Sequence, residues 1–246
     1  MTAADFQRVF ALPFAEAVSF FRDKLNLPTA AFDDLVGAAH AKAFVSAGAY
    51  QAELLAELRQ MTERAIVGGM DIREFRKQFR PLVERYGWQL KGGGPAWRSD
   101  LIWRTNINTA YQAGRWQQFE EGGIDYLKYV HNDRVRNPRP HHVAMDGTVL
   151  PRTDPFWEKN YPPNGWGCKC RAVAALPGEI EQAGGRPGGW ESMADSGWEY
   201  NVGTASQEHL AASMRVKMDK LPADIAEVWR QWLMEKGLGT WISQQG

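Results

Sequence analysis

The sequence predicts an α+β fold: a mainly helical N-terminal part, then a compact loop-rich part with a few short strands packed on a long helix, then a helical C-terminal segment. Three observations lead there. Apolar residues recur at three- and four-residue spacing through the first half. From Ile124 the texture changes to short aromatic and β-branched runs separated by Pro, Gly, Asn and Asp. Helical spacing returns after residue 207, through Leu210, Met214, Met218, Val228 and Trp232. The expected units are a helical domain over residues 1–95, a core domain over 96–206, and a helical segment and tail over 207–246.

Each element has a local reason. Phe14, Val18, Phe21 and Leu25 mark a helix that starts near Pro13 and ends at Asn26 and Pro28. A second helix is expected from Asp33 to Ala47, with Leu35, Ala39 and Phe44 inward and Gly48 as its stop. Leu54, Leu58, Met61 and Ala65 mark a third, ended by Gly68 and Gly69. Asp71 followed by Glu74 reads as the capping box of a fourth, which carries Ile72, Phe75, Phe79, Leu82 and Tyr86. Pro81 lies inside that pattern and is expected to kink or split it. Lys91 to Pro95 is a flexible break. The long helix follows from Arg98 to Glu121, with a stripe of Trp103, Ile107, Ala110 and Gly114. Tyr126 to Val130 and Cys168 to Val173 read as strands. In the second, alternation puts Cys168, Cys170 and Ala172 on one face and Lys169 and Arg171 on the other. Residues 178–206 are Gly-rich and read as loop.

Composition narrows the function classes. The chain is 44% hydrophobic and 24% charged, which argues against wholesale disorder. Eleven tryptophans imply large apolar contact areas, in a core or at subunit interfaces. The formal net charge is zero, but it is unevenly spread: 11 basic against 5 acidic groups in residues 59–116, and 8 against 4 in 128–171. Such blocks suit phosphate or an acidic protein surface, or are simply solvated faces. Two cysteines, Cys168 and Cys170, make no disulfide framework and suit a reducing cytoplasm as free thiols. Val9 to Phe21 is interrupted by Pro13 and Glu16, so no signal peptide is expected, and no apolar run suits a membrane span.

The densest polar cluster runs from His131 to His142, with Asp146 and the cysteine pair beyond. His131, His142, Cys168 and Cys170 are candidate zinc ligands, because neutral imidazole and thiolate match that ion. Their spacing is unfavourable, since only Lys169 separates the cysteines where two to four residues are usual. The plainer reading is two small thiols buried on a strand face, with no cofactor. An enzymatic reading makes His142 a general base oriented by Asp146 or Asp133, with Arg134 and Arg136 gripping phosphate. No nucleophile accompanies them, and no Walker loop, dinucleotide-binding glycine motif, metalloprotease or nucleophile-elbow motif occurs. Asn106 and Arg115 on the long helix are expected to pin the loop above it. Trp157 and Tyr161 are expected as core, and Tyr161 to Gly167 as rigid turn chemistry.

The order of these motifs resembles a known family. Arg104 to Asn106, Tyr111, Gly114 and Arg115 are followed by Asp133 to Arg136, His142, Asp146 and Gly147, then Phe156 and Trp157, then Tyr161 to Arg171. This is similar to the phage Mu F-like minor head proteins, the head-morphogenesis proteins of tailed phages. Pro13 to Phe21, His40 to Phe44, Gly69 to Phe79, and Gly87 with Trp88 resemble the family's helical N-terminal part. Gly197 to Gly203 resembles a late motif of the family, with Val202 where a proline is expected. The resemblance implies a minor virion protein in the head interior or near the portal vertex, assembled in the host cytoplasm. Its implied role is head assembly, DNA packaging or DNA ejection, through portal or major capsid subunits and without a membrane. The resemblance brings no catalytic residues. The alternative is a metal-dependent nuclease- or transferase-like enzyme using His131, His142, Asp146, Cys168 and Cys170. Inside a head, the basic set Arg134, Arg136, Arg139, Arg152, Lys169 and Arg171 is expected to touch packaged double-stranded DNA weakly and without sequence preference.

Overall fold

The computed structural model describes residues 14–29, 31, 34–90, 92–135, 137–183, 191–219, 222–235 and 237. Its elements are α1 (Ala15–Arg22), β1 (Leu25–Asn26), α2 (Ala39–Lys42), β2 (Ala43–Phe44), α3 (Ala52–Gly68), α4 (Ile72–Arg85) and α5 (Gly94–Glu121), then β3 (Tyr126–Val130), α6 (Pro140–Ala144), β4 (Val149–Pro151), α7 (Phe156–Asn160) and β5 (Arg171–Ala174), and finally α8 (Pro177–Ala183), α9 (Gln207–Met218) and α10 (Ala223–Glu235). The fold is α+β.

Several elements depart from local expectation: the first helix ends at Arg22 and not at Asn26, and Pro177–Ala183 is helix where loop was expected. Where a helix was expected up to Ala47, α2 is a single turn. Ala43 and Phe44 instead go extended and pair in parallel with Leu25 and Asn26. Pro81 does not split its helix: α4 is continuous from Ile72 to Arg85. Asp71 opens it, its carboxylate accepting from the backbone N–H of Arg73 and Glu74 at 2.7 and 2.9 Å. An internal proline costs about 3 kcal/mol. Burying Phe79 and Leu82, at roughly 1.5–3 kcal/mol each, offsets that.

α5 is the axis of the molecule. Its first two-thirds place Ile102 and Ala110 in a core with Phe21, Phe44, Leu58, Phe75, Phe79 and Trp88. Its last third places Ala113, Trp116 and Phe119 in a second core. There they meet Leu127, Tyr129, Leu150, Phe156, Trp157 and Tyr161. β3 is the centre of a three-stranded antiparallel sheet, flanked by β4 and β5. Leu127 and Tyr129 face inward from it, with Ala172 opposite Tyr129. A third core joins distant parts of the chain: Leu27, Leu35, Ala39 and Ala43 pack with Leu210, Met214, Met218 and Leu233.

Candidate functional site

The polar cluster read from the sequence assembles over the second core. Four segments build it. β3 ends at Val130, so His131 follows directly from a paired strand. α6 presents His142 from a five-residue helix with Pro140 in its first turn. Cys168 and Cys170 precede β5, which begins at Arg171 opposite Val130. Burial alternates there: Cys168, Cys170 and Ala172 are buried, while Lys169 and Arg171 are exposed.

His142 and the two cysteines converge, and His131 joins them through Cys170. Nδ1 of His131 lies 3.5 Å from Sγ of Cys170. Nδ1 of His142 lies 3.7 Å from Sγ of Cys168 and 3.9 Å from Sγ of Cys170. Exposure is 7% at His131, 2% at His142, 6% at Cys168 and 2% at Cys170. Both cysteines are free. The Cys168 thiol donates to Cys170 and so holds Cys170 well below the ordinary thiol value, against the effect of burial. The same bond, together with burial, pushes Cys168 up.

The carboxylate beside His142 is Asp195, neither Asp146 nor Asp133. Oδ1 of Asp195 lies 3.6 Å from Nε2 of His142 and 3.0 Å from Nε2 of His141, and Oδ2 lies 3.1 Å from Nε of Arg139. Asp195 is itself fixed, its backbone N–H donating to the Asn164 carbonyl at 2.8 Å. A Cβ on Gly165 would overlap its carboxylate, so only glycine fits there. Asp146 instead accepts from the backbone N–H of His131 at 2.7 Å, and Asp133 is exposed.

The loop is pinned by residues other than those expected. Asn106 donates back to the Ile102 carbonyl of its own helix. Arg115 is half-buried, and its charge works against burial at the Tyr161 hydroxyl. Asn108 donates to the Cys168 carbonyl at 2.7 Å. Gln112 accepts from the Ala172 N–H at 3.4 Å, and its carbonyl accepts from the buried Tyr161 hydroxyl at 2.8 Å. The signal for this pair was present: Asn108 and Gln112 lie four apart, on one helix face. Trp157 and Tyr161 are core, as expected.

The basic set divides. Arg139 pairs with Asp195, and Arg152 pairs with Glu120 while donating to the Ile124 carbonyl. Arg134, Lys169 and Arg171 are exposed, and no ion pair with another described residue holds them. Arg136 lies outside the described residues.

A second surface feature lies beside the cluster. Trp97 is 47% exposed and Trp166 37%, and with Leu101, Arg104 and Gly167 they line a shallow groove. Among the described residues, no helix is long and apolar enough to cross a membrane.

Residues 56–173 match the sequence model of the family described as phage Mu protein F like protein. The Mu-like prophage FluMu F protein of Haemophilus influenzae is 32% identical over 213 residues, covering 68% of this chain and 51% of the relative. The capsid assembly protein F of Escherichia phage Mu is 32% identical over 189 residues, covering 70% of this chain and 43% of the relative. The chain thus spans about half the length of these curated relatives. No solved structure matches it.

Proposed function

Through residues 56–173 the chain belongs to the phage Mu protein F-like family, a capsid and head assembly family, and from that premise we propose that it is a minor head protein of a tailed phage or prophage. It works in head assembly, DNA packaging or ejection, by binding portal or major capsid subunits. It is made in the host cytoplasm and carried in the virion, in the head interior or at the portal vertex. The observation that carries this reading is the family match over residues 56–173, which include His131, His142, Cys168 and Cys170.

Two features of the geometry support it. The groove between Trp97 and Trp166 has the composition of an interface centre, with exposed tryptophan beside arginine. Among the described residues, the four side chains of the His/Cys cluster are each 7% exposed or less, which leaves little of them open to a substrate. That burial favours an assembly role over the nuclease- or transferase-like alternative. Arg134, Lys169 and Arg171 offer packaged DNA a small, sequence-independent contact surface.

Purified particles from the parent phage test the proposal. Mass spectrometry is expected to find the chain in the heads at low copy number, and its deletion to reduce DNA-filled heads. Particles that lack the chain, together with normal yields of filled heads after deletion, would overturn it.

A further inference from the structure

We propose that His131, His142, Cys168 and Cys170 form a closed tetrahedral zinc site that cross-links the loop-rich part of the fold. The distances carry the inference. Zinc bonds of about 2.3 Å to sulfur and about 2.0–2.1 Å to nitrogen, at tetrahedral angles, set donor-to-donor edges of about 3.3–3.8 Å. The observed sulfur-to-nitrogen edges are 3.5, 3.7 and 3.9 Å. The two sulfurs and a ring nitrogen of His142 all lie within 4.8 Å of one another, while His131 reaches only Cys170 and its ring must turn inward to complete the sphere. The short cysteine spacing is no obstacle here. Both thiols are buried and Lys169 between them is exposed, so one intervening residue suffices.

A second, independent observation concerns the far side of the ring. Nε2 of His142 is buried without a hydrogen-bond partner, 3.6 Å from Oδ1 of Asp195. A metal on Nδ1 leaves the ring proton on Nε2, aimed at that carboxylate. This is the carboxylate–histidine–metal arrangement that orients such ligands. Arg139 and His141 hold Asp195 in place for it. Charge balance agrees, because two thiolates neutralise one dication and the thiol protons pass to solvent. With four protein ligands the coordination sphere is full, which is the pattern of a structural site. Two sulfurs with two nitrogens suit zinc, whereas calcium and magnesium take oxygen.

A competing set exists next door. His141, His142 and Asp195 also converge, but that set holds no thiolate and Asp195 is already engaged by Arg139. That set would take His142 through its other nitrogen.

The full chain, produced with zinc in the medium, is expected to contain about one zinc per molecule by elemental analysis. X-ray absorption at the zinc edge should show two sulfurs at about 2.3 Å and two nitrogens at about 2.0 Å. Cys168→Ser and His131→Ala should lower the zinc content at least tenfold, while His141→Ala keeps it. Wild-type protein gives a second readout if those variants fail to fold: both thiols should resist alkylation until a chelator is added. Three results would overturn the site. They are a folded, zinc-free chain after dialysis against zinc chloride, a zinc shell of nitrogen and oxygen only, and thiols that alkylate at the same rate with and without chelator.

Discussion

The Asn108 side-chain amide donates to the main-chain carbonyl of Cys168 at 2.7 Å, so the middle of the long helix is tied directly to the cysteine segment. The bond is partly buried and spans 60 residues of chain. Asn108→Ala leaves that carbonyl short of a donor, at a cost of about 1–2 kcal/mol. Asn106→Ala removes only a bond within the helix and gains helix propensity, so its effect should lie within about 0.5 kcal/mol of zero. Urea unfolding of the two variants ranks them. Equal midpoints would show that the tie contributes nothing.

Gly114 marks the closest approach of α1 and α5. A Cβ there would sit 2.7 Å from the backbone nitrogen of Ala17 and 3.0 Å from the Glu16 carbonyl carbon. Backbone cannot swing aside as a side chain can. Gly114→Ala should therefore destabilise by about 1–3 kcal/mol, despite alanine's better helix propensity. Thermal melting shows the sign: a raised midpoint would mean the helices separate at little cost.

Lys24 is buried, with its ammonium donating to the His40 carbonyl at 2.9 Å and lying over the Phe20 ring. Burial, then the nearby charges of Lys42 and Arg59, bring it down to about 7 from the ordinary 10.5. Between those values the unfolded chain holds a proton that the folded chain has released. Stability should rise with pH across that window, by at most about 1.4 kcal/mol per unit. Below pH 7 the cost of the buried charge is present in full. Lys24→Met should be more stable than wild type at pH 6 and should abolish the slope. Urea midpoints at pH 6, 8 and 10 measure both, and a wild-type profile that is flat between pH 7 and 10 contradicts the assignment.

Lys169 and Arg171 point away from the core beside the cluster, and Arg139 does not share their freedom. Binding to random duplex DNA is expected at roughly 10⁻⁴–10⁻⁶ M, with steep salt dependence. Replacing both Lys169 and Arg171 with alanine should flatten the log–log salt slope by roughly one to two. Arg139→Ala should leave the slope unchanged and lower stability instead, by freeing Asp195. A salt titration by fluorescence anisotropy separates the two effects. An unaltered slope in the double variant moves the DNA contact to another surface.

Local pattern carried the elements whose neighbours are close in sequence. Tyr126–Val130 is a strand with the expected bounds, because aromatic and β-branched alternation and the glycines before it are all local. The long helix begins at Gly94, four residues before Arg98, because Pro95 is tolerated in a first turn. Where a distant partner decides, local reading falls short. β5 starts at Arg171, not Cys168, because β3 ends opposite it at Val130. α2 stops where Ala43 finds Leu25. Four buried side chains of the cluster were legible because His and Cys in one short span are chemically conspicuous. Asp195 was not, since it reaches His141 across 54 residues from a Gly-rich stretch with no periodicity. Asn106 was read as the pin in place of Asn108. Two residues along a helix turn the side chain by about 200°, so a small shift in phase exchanges one face for the other.

The third core sets a timetable for the growing chain. Leu35 waits for Leu210, and the Val36 backbone N–H donates to Ser213 across 177 residues. At about 5–20 residues per second, a ribosome takes on the order of ten seconds or more to bring those partners out. Until then Leu27, Leu35 and Ala43 stand uncovered beside α2. The nascent chain therefore passes through an interval in which its N-terminal apolar surface is open to chaperones, or to another copy of itself, before its own C-terminal helices arrive to close it.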